Sequence, residues 1–150
     1  MAKFLIPLLM LIFMQGCSSA PPPHKGNKDI MTIQAQAEQA YRRAMLDQAE
    51  SLYLEVLNSV PNYAPAWFRL GNIYTRTGRQ EAAIAAYQRC LELEPNNQKA
   101  WYNMSLVRLK QSTQLLQEAS GRGDQKSAVH QQIEALLSEL TQLQSATRGS

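Results

Sequence analysis

The order of apolar, small and turn residues between Ala64 and Asn97 limits what this chain can fold into more than any other feature. Trp67, Leu70, Gly71 and Tyr74 fall at i, i+3, i+4 and i+7, which places them on one stripe of a helix. Gly71 leaves that stripe open to close approach by another helix. Gly78 ends the helix by taking the left-handed conformation that other residues resist. Ala83, Tyr87, Cys90 and Leu91 repeat the spacing on a second helix, and Pro95 closes it because it cannot donate a backbone hydrogen bond. Two such helices joined by a short turn form an antiparallel hairpin. A single hairpin cannot bury both stripes, so it must stack on neighbours of the same kind.

These positions, together with the order Trp, Leu, Gly, Tyr, Gly, Ala, aromatic, small residue and Pro, resemble the tetratricopeptide (TPR) repeat. Cys90 departs from that pattern, standing where alanine is usual. Moved back by one period, the register gives a degenerate copy at residues 30–63. Ala49, Tyr53, Val56 and Pro61 fill its second-helix positions, while Ile33, Ala37, Ala40 and Ala44 stand for Trp67, Gly71, Tyr74 and Gly78. Moved forward, it gives a partial repeat at residues 98–120, with Trp101, Met104 and Ser105 for Trp67, Leu70 and Gly71. Arg108 and Ser112 then occupy the Tyr74 and Gly78 positions. No glycine or proline follows until Gly121, so one long helix from Lys99 to Ser120 is predicted.

Gly121 to Asp124 reads as a turn, with Asp124 as the N-cap of a last helix within residues 121–146. Val129, Ile133, Leu136, Leu140 and Leu143 form a heptad seam on that helix. Leu109, Leu115, Leu116 and Ala119 of the preceding helix can meet it across the turn, or the seam can pair with a second subunit or another protein. The predicted fold is all-α: a short TPR solenoid of about two and a half repeats, capped by a long C-terminal antiparallel helical hairpin. Arg122, Gly123 and Asp124 spell an adhesion tripeptide, but two glycines and a capping aspartate are what a helix-helix turn requires in any case.

The N-terminus carries a different kind of signal. Residues 1–16 hold Lys3 and then an apolar run from Phe4 to Met14. The run has signal-peptide length and falls short of the about 20 apolar residues that cross a bilayer. With Gly16 and Cys17 at its end, the segment resembles a bacterial lipobox, with Met14 where leucine is more usual and an uncommon Gln15. That resemblance implies cleavage before Cys17, an S-diacylglycerol on its thiol and an N-acyl chain such as palmitate on the new terminus, which together hold a chain permanently on a membrane. The alternative is an ordinary secretory signal with a chance cysteine. Ser18 after the cysteine resembles the outer-membrane sorting choice. Residues 17–29, with Pro21 to Pro23, read as the lipidated cysteine followed by a flexible spacer.

Composition narrows the function. The formal charge is +3, and excluding Lys3 leaves fourteen basic against twelve acidic residues with no clustered basic face for nucleic acid. His24 and His130 are far apart and no Cys/His cluster has metal-ligand spacing. No glycine-rich phosphate loop is present. No enzyme, cofactor, metal or small-molecule substrate is therefore expected, and Cys90 reads as a compact buried thiol.

What the repeat implies is binding of a protein partner in a concave groove lined by the first helix of each repeat. Residues carried over from the family's groove positions are Gln34, Glu38, Tyr41 and Arg42 in the first repeat. Phe68, Asn72, Thr75 and Arg76 follow in the second, then Tyr102, Leu106 and Leu109 in the third. Lysine is absent from the Phe68 position, so the charged peptide-carboxylate pattern is not implied. The build resembles small outer-membrane TPR lipoproteins facing the periplasm, some of them pilotins that help a secretin of a secretion or pilus machine assemble. Two further readings are a homo-oligomeric envelope scaffold through the C-terminal helix and a regulator of a peptidoglycan enzyme. Whether the C-terminal helix covers the groove is open at this point.

Overall fold

A computed structural model describes residues 25–148, with side-chain surroundings described for residues 29–142. Residues 1–16, read above as a signal segment, Cys17, Pro21 to Pro23 and the side chain of Leu143 lie outside what it describes. Six helices follow one another: α1 (Lys25–Arg42), α2 (Leu46–Ser59), α3 (Ala64–Arg76), α4 (Gln80–Leu93), α5 (Gln98–Arg122) and α6 (Ala128–Arg148). Among the described residues there is no strand, and no helix is long and apolar enough to cross a membrane.

The chain is an all-α solenoid. Helices α1 and α2 form the first hairpin, α3 and α4 the second, and α5 packs on α4 where a third would begin. Helix α1 starts at Lys25, inside the segment read as spacer. Pro23 is the last proline before it, and no proline lies between Pro23 and the end of α1 to remove a backbone donor.

Two apolar clusters run through the stack. One holds Ala37, Tyr53, Val56, Leu70 and Ile73 and receives Ala86 from α4; the other holds Ala83, Tyr87, Cys90, Ala100 and Met104. Trp67 and Tyr74 touch both, so the tryptophan-tyrosine stripe of α3 is the seam between repeats. Burying one large side chain of this kind contributes about 1.5–3 kcal/mol. The turns also repeat. Trp67 Nε1 donates to the Pro61 carbonyl at 2.8 Å, and one period later Trp101 Nε1 donates to the Pro95 carbonyl at 2.9 Å. Each proline thus ends a helix and leaves its carbonyl to anchor the next one.

Gly78 has φ +77°, and Ala44, at the same register in the first hairpin, is held at φ 58°. The turn geometry is imposed by the packing of the two helices, and Ala44 takes it despite its Cβ.

The C-terminal segment differs from the sequence expectation in two details. Helix α6 begins after Ser127, whose Oγ accepts from the His130 backbone N–H at 3.1 Å; Asp124 instead accepts from the Lys126 N–H at 3.0 Å and shapes the turn. Ser127 is therefore the cap, because the turn needs three more residues to reverse direction. Helix α6 packs on α5, and Ser120 donates to Glu134 across them. That packing half-buries His130, Ile133, Leu137 and Leu140, while Val129 and Leu136 of the expected seam stay 63% and 43% exposed. With a single helix to pack against, α6 settles rotated from the heptad seam. Leu109, Leu116 and Ala119 of α5 are half-buried, and Leu115 is exposed.

Candidate functional site

The groove side of the solenoid is organised by a tyrosine from each second helix. A Cβ on Gly71 would stand 2.4 Å from Tyr87 Cε1, so the ring lies directly over that glycine. It can do so only because position 71 has no side chain. The ring is buried, yet its hydroxyl emerges on the far side of α3. There Tyr87 Oη donates to Asn72 Oδ1 at 2.8 Å, and it lies 3.2 Å from Thr75 Oγ1. Asn103 Nδ2 from α5 donates to the same Asn72 oxygen at 2.8 Å. Burial raises the Tyr87 pKa above the ordinary phenol range, with the bonds to Thr75 and Asn103 opposing it. The phenol therefore stays protonated as a donor.

One period earlier the same positions hold charged groups. Tyr53 Oη donates to Glu38 Oε2 at 2.8 Å, and Arg69 Nη2 donates to Glu38 Oε1 at 2.9 Å. Burial first, then the Glu38 carboxylate, pushes the Tyr53 pKa far up. Arg69 also stands 4.9 Å from the centre of the Tyr41 ring, and Arg76 stands 5.3 Å from it, both within cation-π reach.

Between these networks lies an open cavity of about 170 Å³. Tyr41 of α1, Asn72, Thr75 and Arg76 of α3, and Leu106 of α5 form walls of it. Tyr87 and Asn103 complete the lining. Neither is among the expected groove residues: Asn103 is not carried over from the family positions, and Tyr87 reads as core, where its ring does lie. The available signal was Gly71: a glycine at an inward helical position, one residue before Asn72, lets a ring from behind reach through.

The remaining expected residues lie elsewhere. Arg42 is exposed at the end of α1. Glu38 is held by Tyr53 and Arg69, and Gln34 donates to Tyr63 Oη at 2.6 Å. Phe68 is half-buried in the second cluster with its ring centre 6.1 Å from that of Tyr87. Tyr102 is 58% exposed, and Leu109 is half-buried on α5. Among the described residues, none from α6 lines the cavity.

The electrostatics of the cavity are one-sided. Arg76 has no carboxylate within ion-pair distance among the described residues, whereas Arg69 and Arg79 are paired with Glu38 and Glu50. Asn72 uses its oxygen twice and has no protein acceptor for its Nδ2 among the described residues. The cavity thus offers a guanidinium, an amide donor and aromatic faces to whatever enters it. Cys90 lies apart from all of these, fully buried, with a thiol pushed up to about 11 by burial and the nearby Glu94.

Comparison with known proteins agrees with this geometry. The family model of the tetratricopeptide repeat matches residues 64–97. The chain is 32% identical over 63 residues to the peroxisomal targeting signal receptor of Candida albicans, covering 42% of this chain and 11% of that protein. It is 29% identical over 65 residues to protein O-mannosyl-transferase TMTC3 of Homo sapiens, covering 43% of this chain and 7% of that protein. A PEX5-related protein of Rattus norvegicus is 52% identical over 40 residues, which is 27% of this chain and 7% of the other. The chain thus spans about a tenth or less of the length of these relatives, and what they share with it is of repeat size.

Proposed function

We propose that this chain is a non-enzymatic adaptor that binds a protein partner in the groove formed by α1, α3 and α5. The observation that carries the reading is the open cavity at Tyr41, Asn72, Arg76 and Leu106, with an apolar wall, a guanidinium that has no carboxylate partner and an amide donor that has no acceptor among the described residues. Such a surface suits a polypeptide carrying a carboxylate, because rigid rings supply contact area while the amide and guanidinium meet backbone and acidic groups. The receptor among its relatives is named for a targeting signal, and recognition of a protein segment is the use we carry over.

In the same proposal, Cys17 carries the N-acyl and S-diacylglycerol groups and tethers the groove to the periplasmic face of the outer membrane. The partner is then an envelope protein, such as a secretin of a secretion or pilus machine, and the role is that of a pilotin. The supports are the apolar run Phe4 to Met14 ending at Gly16 and Cys17, and the prolines that follow.

The test is a pull-down from solubilised envelopes with the native chain beside a Tyr41→Ala, Arg76→Glu double variant, read by mass spectrometry. A single envelope protein retained by the native chain and lost by the variant is the expected result. Identical partners with both chains would sink the groove reading. The tether is tested separately by labelling with radioactive palmitate, which is expected to enter the native chain and not a Cys17→Ser variant.

A further inference from the structure

In a stack of helical hairpins, each second helix seats in the groove between the hairpin before it and its own first helix. Here α2 and α3 offer Leu57, Trp67, Leu70 and Gly71, and α4 fills the place, with Ala86 in the first cluster and Tyr87 over Gly71. One period later the same register positions are Leu91, Trp101, Met104 and Ser105. They line an open groove of about 650 Å³ between α4 and α5, with Glu92 and Arg108 also on its walls. The third hairpin never forms, because α5 runs on to Arg122 without a turn at Ser112. Among the described residues, α6 contributes no wall to this groove. Trp101 accordingly remains 51% exposed, whereas Trp67 is half-buried.

The groove has also changed character. Arg108 replaces Tyr74, Glu92 replaces Asn58, and Ser105 replaces the glycine that let the Tyr87 ring settle. Helices α4 and α5 run antiparallel through a short connection, so Glu92 lies beside the start of α5 and Arg108 about two turns further along. The apolar strip of Leu91, Trp101 and Met104 therefore carries an acid at one end and a base at the other. Arg108 has no carboxylate partner among the described residues, and Glu92 meets only Arg89 in an exposed pair.

We infer that this face is a two-fold contact between two copies of the chain. Rotation about an axis near Ser105 sets Glu92 of each copy against Arg108 of the other, twice, and keeps like charges apart. The small Ser105 lets the two α5 helices approach, and each Trp101 comes under the guanidinium of the opposite Arg108. A foreign helix resembling α4 fits less well, since Ser105 blocks the seat its ring would need. The contact shares no residue with the cavity at Tyr41 and Asn72, so it stands whether or not the groove binds a partner.

Sedimentation equilibrium of the full chain in density-matched detergent tests it. The native chain is expected to be a dimer, with association weakened at least ~10-fold by Trp101→Ala, by Glu92→Arg and by Arg108→Glu. Combining Glu92→Arg with Arg108→Glu restores the affinity to within ~3-fold, since the pair is only exchanged. Unchanged helicity by circular dichroism shows that the single variants still fold. A native chain that stays monomeric up to ~100 μM overturns the inference. So does a dimer indifferent to these changes but broken by Val129→Ser with Leu136→Ser on α6, and so does failure of the double reversal to restore pairing.

Discussion

The first and second hairpins assign the same register positions to the same tasks and fill them with different side chains. At the tyrosine network, α1 supplies Glu38 where α3 supplies Asn72, and the following helix supplies Arg69 where α5 supplies Asn103. A carboxylate flanked by a phenol and a guanidinium is satisfied on both oxygens, so the first network is closed. An amide flanked by a phenol and a second amide keeps two donors of its own unused, so the second network is open to a ligand. The difference between structural glue and binding surface thus rests on two repeat positions: a carboxylate with a guanidinium at Glu38 and Arg69, and a pair of amides at Asn72 and Asn103.

The largest test of this comparison is at the close approach that only the second hairpin has. Gly71→Ala drives a methyl into the Tyr87 ring and should cost about 3 kcal/mol, lowering Tm by roughly 10 °C or more. Ala37→Gly, at the same register, should cost only about 1–2 kcal/mol. Equal losses by thermal denaturation would mean that the ring in the second hairpin is not held through the glycine.

The two turns give a smaller effect of opposite sign. Ala44→Gly relieves a left-handed alanine and should stabilise by about 1 kcal/mol. Gly78→Ala imposes the same strain on φ +77° and should destabilise by about 1 kcal/mol, since nothing lies within 4 Å of the added Cβ to add a clash. Urea melts of the two variants moving in the same direction would break the equivalence of the turns.

Glu38→Gln sharpens the contrast between charged and neutral networks. Arg69 and Glu38 keep side-chain exposures of 33% and 29%, so solvent screening limits the loss to about 1 kcal/mol. The loss should shrink at high salt, whereas an Asn72→Ala variant should show no such salt dependence.

The smallest effect at neutral pH comes from Cys90, which has Val56 as its counterpart in the first hairpin. Its folded pKa is about 11, above the ordinary thiol value, so the unfolded chain releases its proton first as pH rises. The stability it contributes is whole below about pH 8.5 and lost as pH climbs towards 11. Cys90→Val should flatten that part of the alkaline stability curve, leaving the steeper fall above pH 10 to Tyr53, Tyr74 and Tyr87, whose pKa values are also raised. An unchanged slope between pH 9 and 10 would contradict it.

Much of the fold was legible because a 34-residue period repeats local rules. Trp67, Gly71, Tyr74, Gly78 and Pro95 each mark a helix face or end by chemistry that acts within a few residues, and the degenerate first copy could be found by register alone. The groove was legible in part. Tyr41, Asn72, Thr75, Arg76 and Leu106 come together, but Phe68 faces Tyr87 and Glu38 is consumed by an ion pair. Neither outcome can be read from spacing, because both depend on which side chain of another helix arrives first.

The sequence by itself determined the helices, the stacking of hairpins and the end of the solenoid at α5, since these follow from periodicity, glycine, proline and their absence. Only the tertiary structure decided that Tyr87 passes over Gly71 into the groove and that Asn103 joins it there. It also decided that the described residues of α6 leave both the cavity and the α4–α5 face open. The physical reason is range. Backbone conformation is set by neighbours along the chain, whereas a side chain's partner is set by helices brought together from about 15 to 31 residues away.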